Sequence, residues 1–399
     1  MIRIRAQNIP VYIFLAIAFL LGGPMQLLGA LSPTKSNYLA LACCLVYLVS
    51  RPNFKVTASE GLLLGGMVAV LLSPFLNGSS WAGALVYVYY LLCPLIAART
   101  ARIYFSKNEQ SIHENLTKTL IAMLALQALA VMFQNAFADQ LISIASSDIS
   151  RTDITSGTFY TKSDGSLAIF CTISCVLITA QKVSLRWKLA AVVLSGAAIY
   201  MSGSKAAQAY FPIAVAATAL HQSLSSSRWR RAFYAMGALL LAIVAVVVSV
   251  KAGELYTAFM ANLYETYDYR YGDNQAQRFA PLGDMIFSPL SYAGHGALTY
   301  YNPLTGNWLY YSGFSLIYSL YYDYGLIGVL LSFLYATILF KETTASWPAT
   351  LLGVAGFAAF SLTAFSFTDL AFFFFITFAC AYSRRHAELS AVRTSSGVD

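Results

Sequence analysis

The sequence has 399 residues, of which 58% are hydrophobic and only 11% charged, with a mean hydropathy of +0.63. Soluble domains carry about 25% charged residues, so these values exclude an ordinary water-soluble domain and make lipid the solvent for most of the chain. The formal net charge of +8 would suit a nucleic-acid partner, but the positions of the basic residues assign it to membrane orientation, and no nucleic acid is implied.

Apolar runs of about 15–25 residues recur from end to end, the length a helix needs to cross a hydrocarbon core of about 30 Å. No run alternates as a membrane β-strand would. The leader Met1 to Gln7 carries Arg3 and Arg5 ahead of the first apolar run. It reads as the start of an uncleaved first helix, because more helices follow. The predicted helices fall at about 10–31, 36–50, 58–76, 80–98, 117–138, 166–181, 188–203, 206–222, 232–250, 313–340, 347–366 and 369–383. Cys43, Cys44, Cys93, Cys171, Cys175 and Cys380 all lie inside apolar runs and read as small core residues, with neither a metal nor a disulfide implied.

With the amino terminus in the cytoplasm, alternate loops collect about 18 of the 25 basic residues on one side, the bias that sets orientation. Both termini are then cytoplasmic, and two outward loops stand out, about 139–165 and 251–312. The expected fold is an all-α polytopic membrane protein of about 12 transmembrane helices, a single domain over residues 1–399 with a large periplasmic loop.

Seven basic residues face outward against the bias: Lys35, Arg151, Lys162, Lys205, Lys251, Arg270 and Arg278. Lys205 sits in Met201-Ser202-Gly203-Ser204-Lys205 between two apolar helices. A charge at that depth serves an ion or substrate, or snorkels to the headgroups. Outward cations in a lipid-embedded protein suit a pyrophosphate on a polyprenol, with bidentate guanidinium contacts and electrostatic stabilisation of the leaving group; no metal and no cofactor is required. In the larger loop, Leu255, Tyr256, Phe259, Met260, Leu263 and Tyr264 have helical spacing. Then come Tyr267, Asp268, Tyr269, Arg270 and Tyr271, and later Tyr300 and Tyr301. Aromatic faces among polar groups form a sugar-binding groove or an interfacial aromatic belt.

Four short elements, in order, resemble the O-antigen polymerase and O-antigen ligase superfamily. They are Ser156-Gly157-Thr158-Phe159; Ser202-Gly203-Ser204-Lys205-Ala206; Gln277-Arg278-Phe279 running to Pro289-Leu290 and Gly294-His295-Gly296; and Asp323-Tyr324-Gly325-Leu326-Ile327-Gly328. The resemblance covers roughly residues 150–330. It implies a metal-independent, inverting glycosyltransferase of the integral-membrane (GT-C-like) class in the bacterial inner membrane, its site facing the periplasm. The substrate it implies is an undecaprenyl-pyrophosphate-linked oligosaccharide, and a chain-length regulator protein is a candidate partner.

Several departures carry information. Lys205 stands where the family commonly has arginine, and Lys162-Ser163-Asp164-Gly165 stands where an Asn-Pro-Asn is frequent. Ligases carry a histidine about 11 residues before the glycine of Gly-Leu-Ile-Gly, where this chain has Phe314; that favours polymerase over ligase. The resemblance makes Arg278 and Lys205 the holders of the donor pyrophosphate, with Arg151 and Arg270 as further candidates. The acceptor hydroxyl's base is drawn from His295, Glu265 and Asp268, or none is needed. Tyr267, Tyr269, Tyr271, Tyr300 and Tyr301 are the sugar-binding candidates. Asp323 and Asp369 read as carboxylates at helix starts, favourable against the amino-terminal dipole. A lipid-linked sugar transporter is the competing class, and it predicts an internal repeat and charges spread along helices, which the sequence lacks.

Overall fold

The computed structural model describes residues 6–51, 55–145, 154–159, 164–181, 183–223, 291–297, 301–302, 307–308, 315–344, 347–363 and 366–395. In chain order α1 (Ile9–Ala16) passes through a π-helical turn, Ile17–Leu21, into α2 (Gly22–Leu27). Next come α3 (Pro33–Val49) and α4 (Ala58–Asn77). Ser32 caps α3 by accepting the Lys35 N–H. Thr57 and Glu60 form a reciprocal capping box on α4, which ends at left-handed Gly78.

The long α5 (Trp81–Ala136) joins two predicted helices in one run bent at Asn108, where φ is −125°. Residues 99–116 contain neither glycine nor proline, so nothing there stops the helix. After α6 (Ala138–Ile144) come α7 (Asp164–Ala180), α8 (Leu185–Ser202) and α9 (Lys205–Ser223). A two-residue antiparallel pair, β1 (Tyr301–Asn302) and β2 (Asn307–Trp308), sets Tyr301 opposite Trp308. The chain then forms α10 (Leu316–Thr343), α11 (Trp347–Thr363) and α12 (Leu370–Ser395). Helix is found at every predicted segment within the described residues; the segment 232–250 lies outside them.

Helix α12 lies at the centre of the described helices. Every residue from Leu370 to Ala379 is buried, as expected of a helix that is apolar all round. Phe374 packs on Phe14 at 5.1 Å, Phe375 on Phe170 at 4.7 Å and Phe372 on Phe360 at 4.6 Å. The turn before it, Ser366–Thr368, is also buried at Ser366 and Phe367, so α12 starts inside the bundle. Its apolar limb of about 13 residues rises about 20 Å, short of a full hydrocarbon core.

The outer face is apolar as well: Leu64, Val68, Leu72 and Phe75 of α4 and Leu330, Leu331 and Leu334 of α10 are exposed. Among the described residues five helices are long and apolar enough to cross a membrane: Ile9–Leu27, Ala58–Leu76, the two limbs of α5 and Leu316–Thr343. With an apolar core inside an apolar surface, this is an α-helical membrane protein.

The helix ends sort into two groups. At one end, the charged end, Arg51 donates to Asn8 at 3.0 Å, and Asn8 donates to Asn108 at 3.1 Å. Arg99 and Arg102 reach Glu60 at 3.0 and 3.4 Å, Arg102 reaches Glu342 at 3.1 Å, and Arg385 reaches Glu109 at 2.6 Å. The network ties α4, α5, α10 and α12 together. The Glu60 side chain is only 5% exposed, so removing a partner would leave a buried charge, a loss of about 3–5 kcal/mol.

Candidate functional site

At the opposite end the described parts of the four elements, of which the third is represented by Gly294-His295-Gly296 alone, lie in two pairs. The first pair is built on residues 154–159, all of them buried. This stretch belongs to a segment read from the sequence as an outward loop, yet it is packed between helices. Its backbone groups are met by two glutamines of α5. Gln134 donates to the Gly157 carbonyl at 2.7 Å and accepts the Gly157 N–H at 2.8 Å. Gln127 accepts the Thr158 N–H at 2.9 Å and donates to Thr158 Oγ1 at 2.6 Å. Thr158 Oγ1 in turn donates to the Phe19 carbonyl, which lies in the π-turn, where the i+4 hydrogen-bond pattern is interrupted.

The Gly23 N–H donates to the Thr158 carbonyl at 3.1 Å. A Cβ on Gly23 would lie 2.1 Å from the Phe159 carbonyl oxygen, so only glycine fits. Phe159 is buried against Phe19 and Phe170. Thr155 Oγ1, in the residue just before the first element, donates to the Ser202 carbonyl at 3.3 Å, and this bond ties that stretch to the second. There α8 ends at Gly203, with φ of 76°, and α9 begins at Lys205.

The second pair is a break filled by a loop. Helix α10 is interrupted at Gly325, with φ of 66° and ψ of −163°, which frees backbone groups on both sides. Residues 291–296 take them up. The N–H groups of Leu326 and Ile327 donate to the carbonyls of Ser291 and Tyr292 at 2.8 and 3.3 Å. The N–H groups of His295 and Gly296 donate to the carbonyls of Tyr322 and Asp323 at 3.1 and 2.7 Å. The contact is backbone on backbone: a Cβ on Gly294 would stand 2.5 Å from Asp323, and one on Gly325 would stand 2.3 Å from Tyr292.

Asp323 is therefore not at the head of its helix, as its position after the large loop suggested. It stands two residues before the break, buried, and accepts a hydrogen bond from Tyr87 Oη at 2.5 Å. The amino-terminal groups of the following half-helix are taken by loop carbonyls instead. Asp369 does cap a helix: it accepts the Phe372 N–H of α12 at 2.8 Å and a hydrogen bond from Ser166.

Of the sequence-predicted site residues, His295 is fully described, on the exposed side of the second pair. Lys205 is placed by its backbone as the first residue of α9, and Tyr301 by its backbone in β1. Arg278, Glu265, Asp268, Arg151, Arg270, Tyr267, Tyr269, Tyr271 and Tyr300 lie outside the described residues.

The residues that the sequence reading missed are Gln127, Gln134 and Tyr87. The two glutamines are seven apart in an apolar helix, hence on one face, and a polar residue in a helix solvated by lipid is the signal that points to them. A cavity of about 20 Å³ between α7, α9 and α11 is lined by Thr172, Ser204 and Tyr210, among others. It has room for about one water. No family model and no curated protein matches this chain.

Proposed function

We propose that the chain is a polysaccharide polymerase. It transfers a growing glycan from undecaprenyl pyrophosphate to the terminal hydroxyl of the next lipid-linked repeat unit of an O-antigen, capsule or exopolysaccharide. The proposed fold is a GT-C-like bundle of about 12 spans in the bacterial inner membrane, with the motif end facing the periplasm. One observation carries the reading. The described parts of the four short elements behind the resemblance, Gly294-His295-Gly296 alone for the third, lie apart in sequence yet come together in two pairs at one end of the bundle, opposite the ion-paired end. Lys205 and His295 lie at that same end.

In this scheme Arg278 and Lys205 hold the donor pyrophosphate, with Arg151 and Arg270 beside them, and the tyrosines of the large loop hold sugar rings. The acceptor oxygen attacks the anomeric carbon with inversion while the pyrophosphate departs. Charge stabilisation of that leaving group does most of the work.

The test is chain extension by the purified protein in detergent, supplied only with polyprenyl-pyrophosphate-linked oligosaccharide. A ladder of products spaced by one repeat unit is expected. Arg278→Ala should abolish it in protein that still inserts, Lys205→Ala should too, and Lys205→Arg should keep it. Transfer only to a lipid A-core acceptor would favour a ligase instead.

The broken helix α10 gives the transporter reading one specific point of support, because broken helices line transporter sites. In transporters, however, the freed backbone groups meet the ligand, whereas here Leu326, Ile327, Tyr322 and Asp323 engage the protein's own loop. Movement of the lipid-linked sugar across vesicles without bond formation would decide for transport.

A further inference from the structure

From the second pair we infer that His295 is the general base of this reaction and that its Nε2 is the atom that takes the proton. This inference rests on the polymerase reading. Three contacts fix the imidazole. Its Nδ1 lies 3.1 Å from the Tyr322 carbonyl oxygen. Its own backbone N–H donates to the same oxygen at 3.1 Å. Its ring stacks on the Tyr322 ring, with centroids 4.4 Å apart and planes 18° apart.

A carbonyl oxygen can only accept, so Nδ1 carries the proton of the neutral ring, and the lone pair is on Nε2. His295 is exposed. The backbone beneath it is held on both sides, by Gly294 and Gly296 at φ of 67° and 100°. The carbonyl that sets the tautomer belongs to the last turn before the break at Gly325. There the helix has no i+4 partner of its own to offer it, so the interruption of α10 supplies the orienting group. The arrangement has the parts a general base needs: a fixed tautomer, a ring stacked in place and an open nitrogen.

In the step itself, Nε2 takes the proton of the acceptor hydroxyl as that oxygen bonds to the anomeric carbon. The bond from the anomeric carbon to the pyrophosphate oxygen breaks, and the electron pair leaves with the pyrophosphate. The imidazolium then passes its proton to water. The products are a lengthened lipid-linked glycan and polyprenyl pyrophosphate.

The experiment compares wild type with His295→Ala in the detergent extension assay, alongside binding of the lipid-linked donor. His295→Ala should lose about 10²–10⁴-fold in extension rate, keep donor binding and recover part of the rate when imidazole is added. Spectra of [15N]histidine-labelled protein in which the other three histidines, His113, His221 and His386, are replaced by glutamine should show Nδ1 protonated and Nε2 bare in the neutral ring. A variant that extends chains at the wild-type rate overturns the assignment, and so does a lost rate that imidazole leaves unchanged. A proton on Nε2 overturns it even if the variant fails to fold. Wild-type protein that binds the donor and forms no glycosidic bond removes the polymerase reading, and this one with it.

Discussion

Gly78 and Gly294 have the same backbone angle, φ of 67°, and differ in what stands beside them. A Cβ on Gly78 meets nothing within 4 Å, whereas one on Gly294 would be 2.5 Å from the backbone of Asp323. An alanine at Gly78 carries only left-handed strain, about 1–2 kcal/mol. At Gly294 the same strain is joined by a clash with backbone that cannot rotate away, about 1–3 kcal/mol more. Thermal unfolding in detergent should therefore show Gly294→Ala well below Gly78→Ala in midpoint temperature. Equal midpoints would mean that residues 291–296 do not dock on the break.

At the scale of elements, the glutamines of α5 are what keep residues 154–159 inside the bundle. Gln127→Leu preserves bulk but leaves the buried Thr158 N–H without its acceptor, a loss of about 1–3 kcal/mol. Ser156 is fully buried. In a Ser156→Cys protein, position 156 should resist a water-soluble maleimide, and adding Gln127→Leu should open it to labelling. Unchanged protection would show that the glutamine is dispensable there.

The helices themselves were legible in the sequence because lipid makes apolar length a direct signal, and the junction at Lys205 fell where Gly203 predicts a stop. Three features were not legible: the bend at Asn108, the break at Gly325 and the burial of 154–159. The last two depend on what a backbone meets from far along the chain. Tyr324-Gly325 reads as ordinary helix until Ser291 and Tyr292 are brought to it, and Gln127 reads as a stray polar residue until Thr158 arrives. The same holds for the resemblance: its elements were readable one by one, and their pairing was not.

Over the whole molecule, charge and shape sort the two ends consistently. Arg51, Arg99, Arg102, Arg384 and Arg385 all make hydrogen bonds at the charged end, while Lys205 starts a helix at the other. Positive charge is retained on the cytoplasmic side during insertion, so the charged end should face the cytoplasm and His295 the opposite compartment. Two exposed positions report this directly, Lys118 in the second limb of α5 and Tyr292 beside the break. A cysteine at Tyr292 should react with a membrane-impermeant maleimide on spheroplasts with sealed inner membranes, and a cysteine at Lys118 should react only after permeabilisation. The wild-type chain, whose cysteines lie within helices, serves as the blank. The reverse pattern would put the motif end in the cytoplasm, against the outward-facing site of the proposed polymerase, and that reading would fall with it.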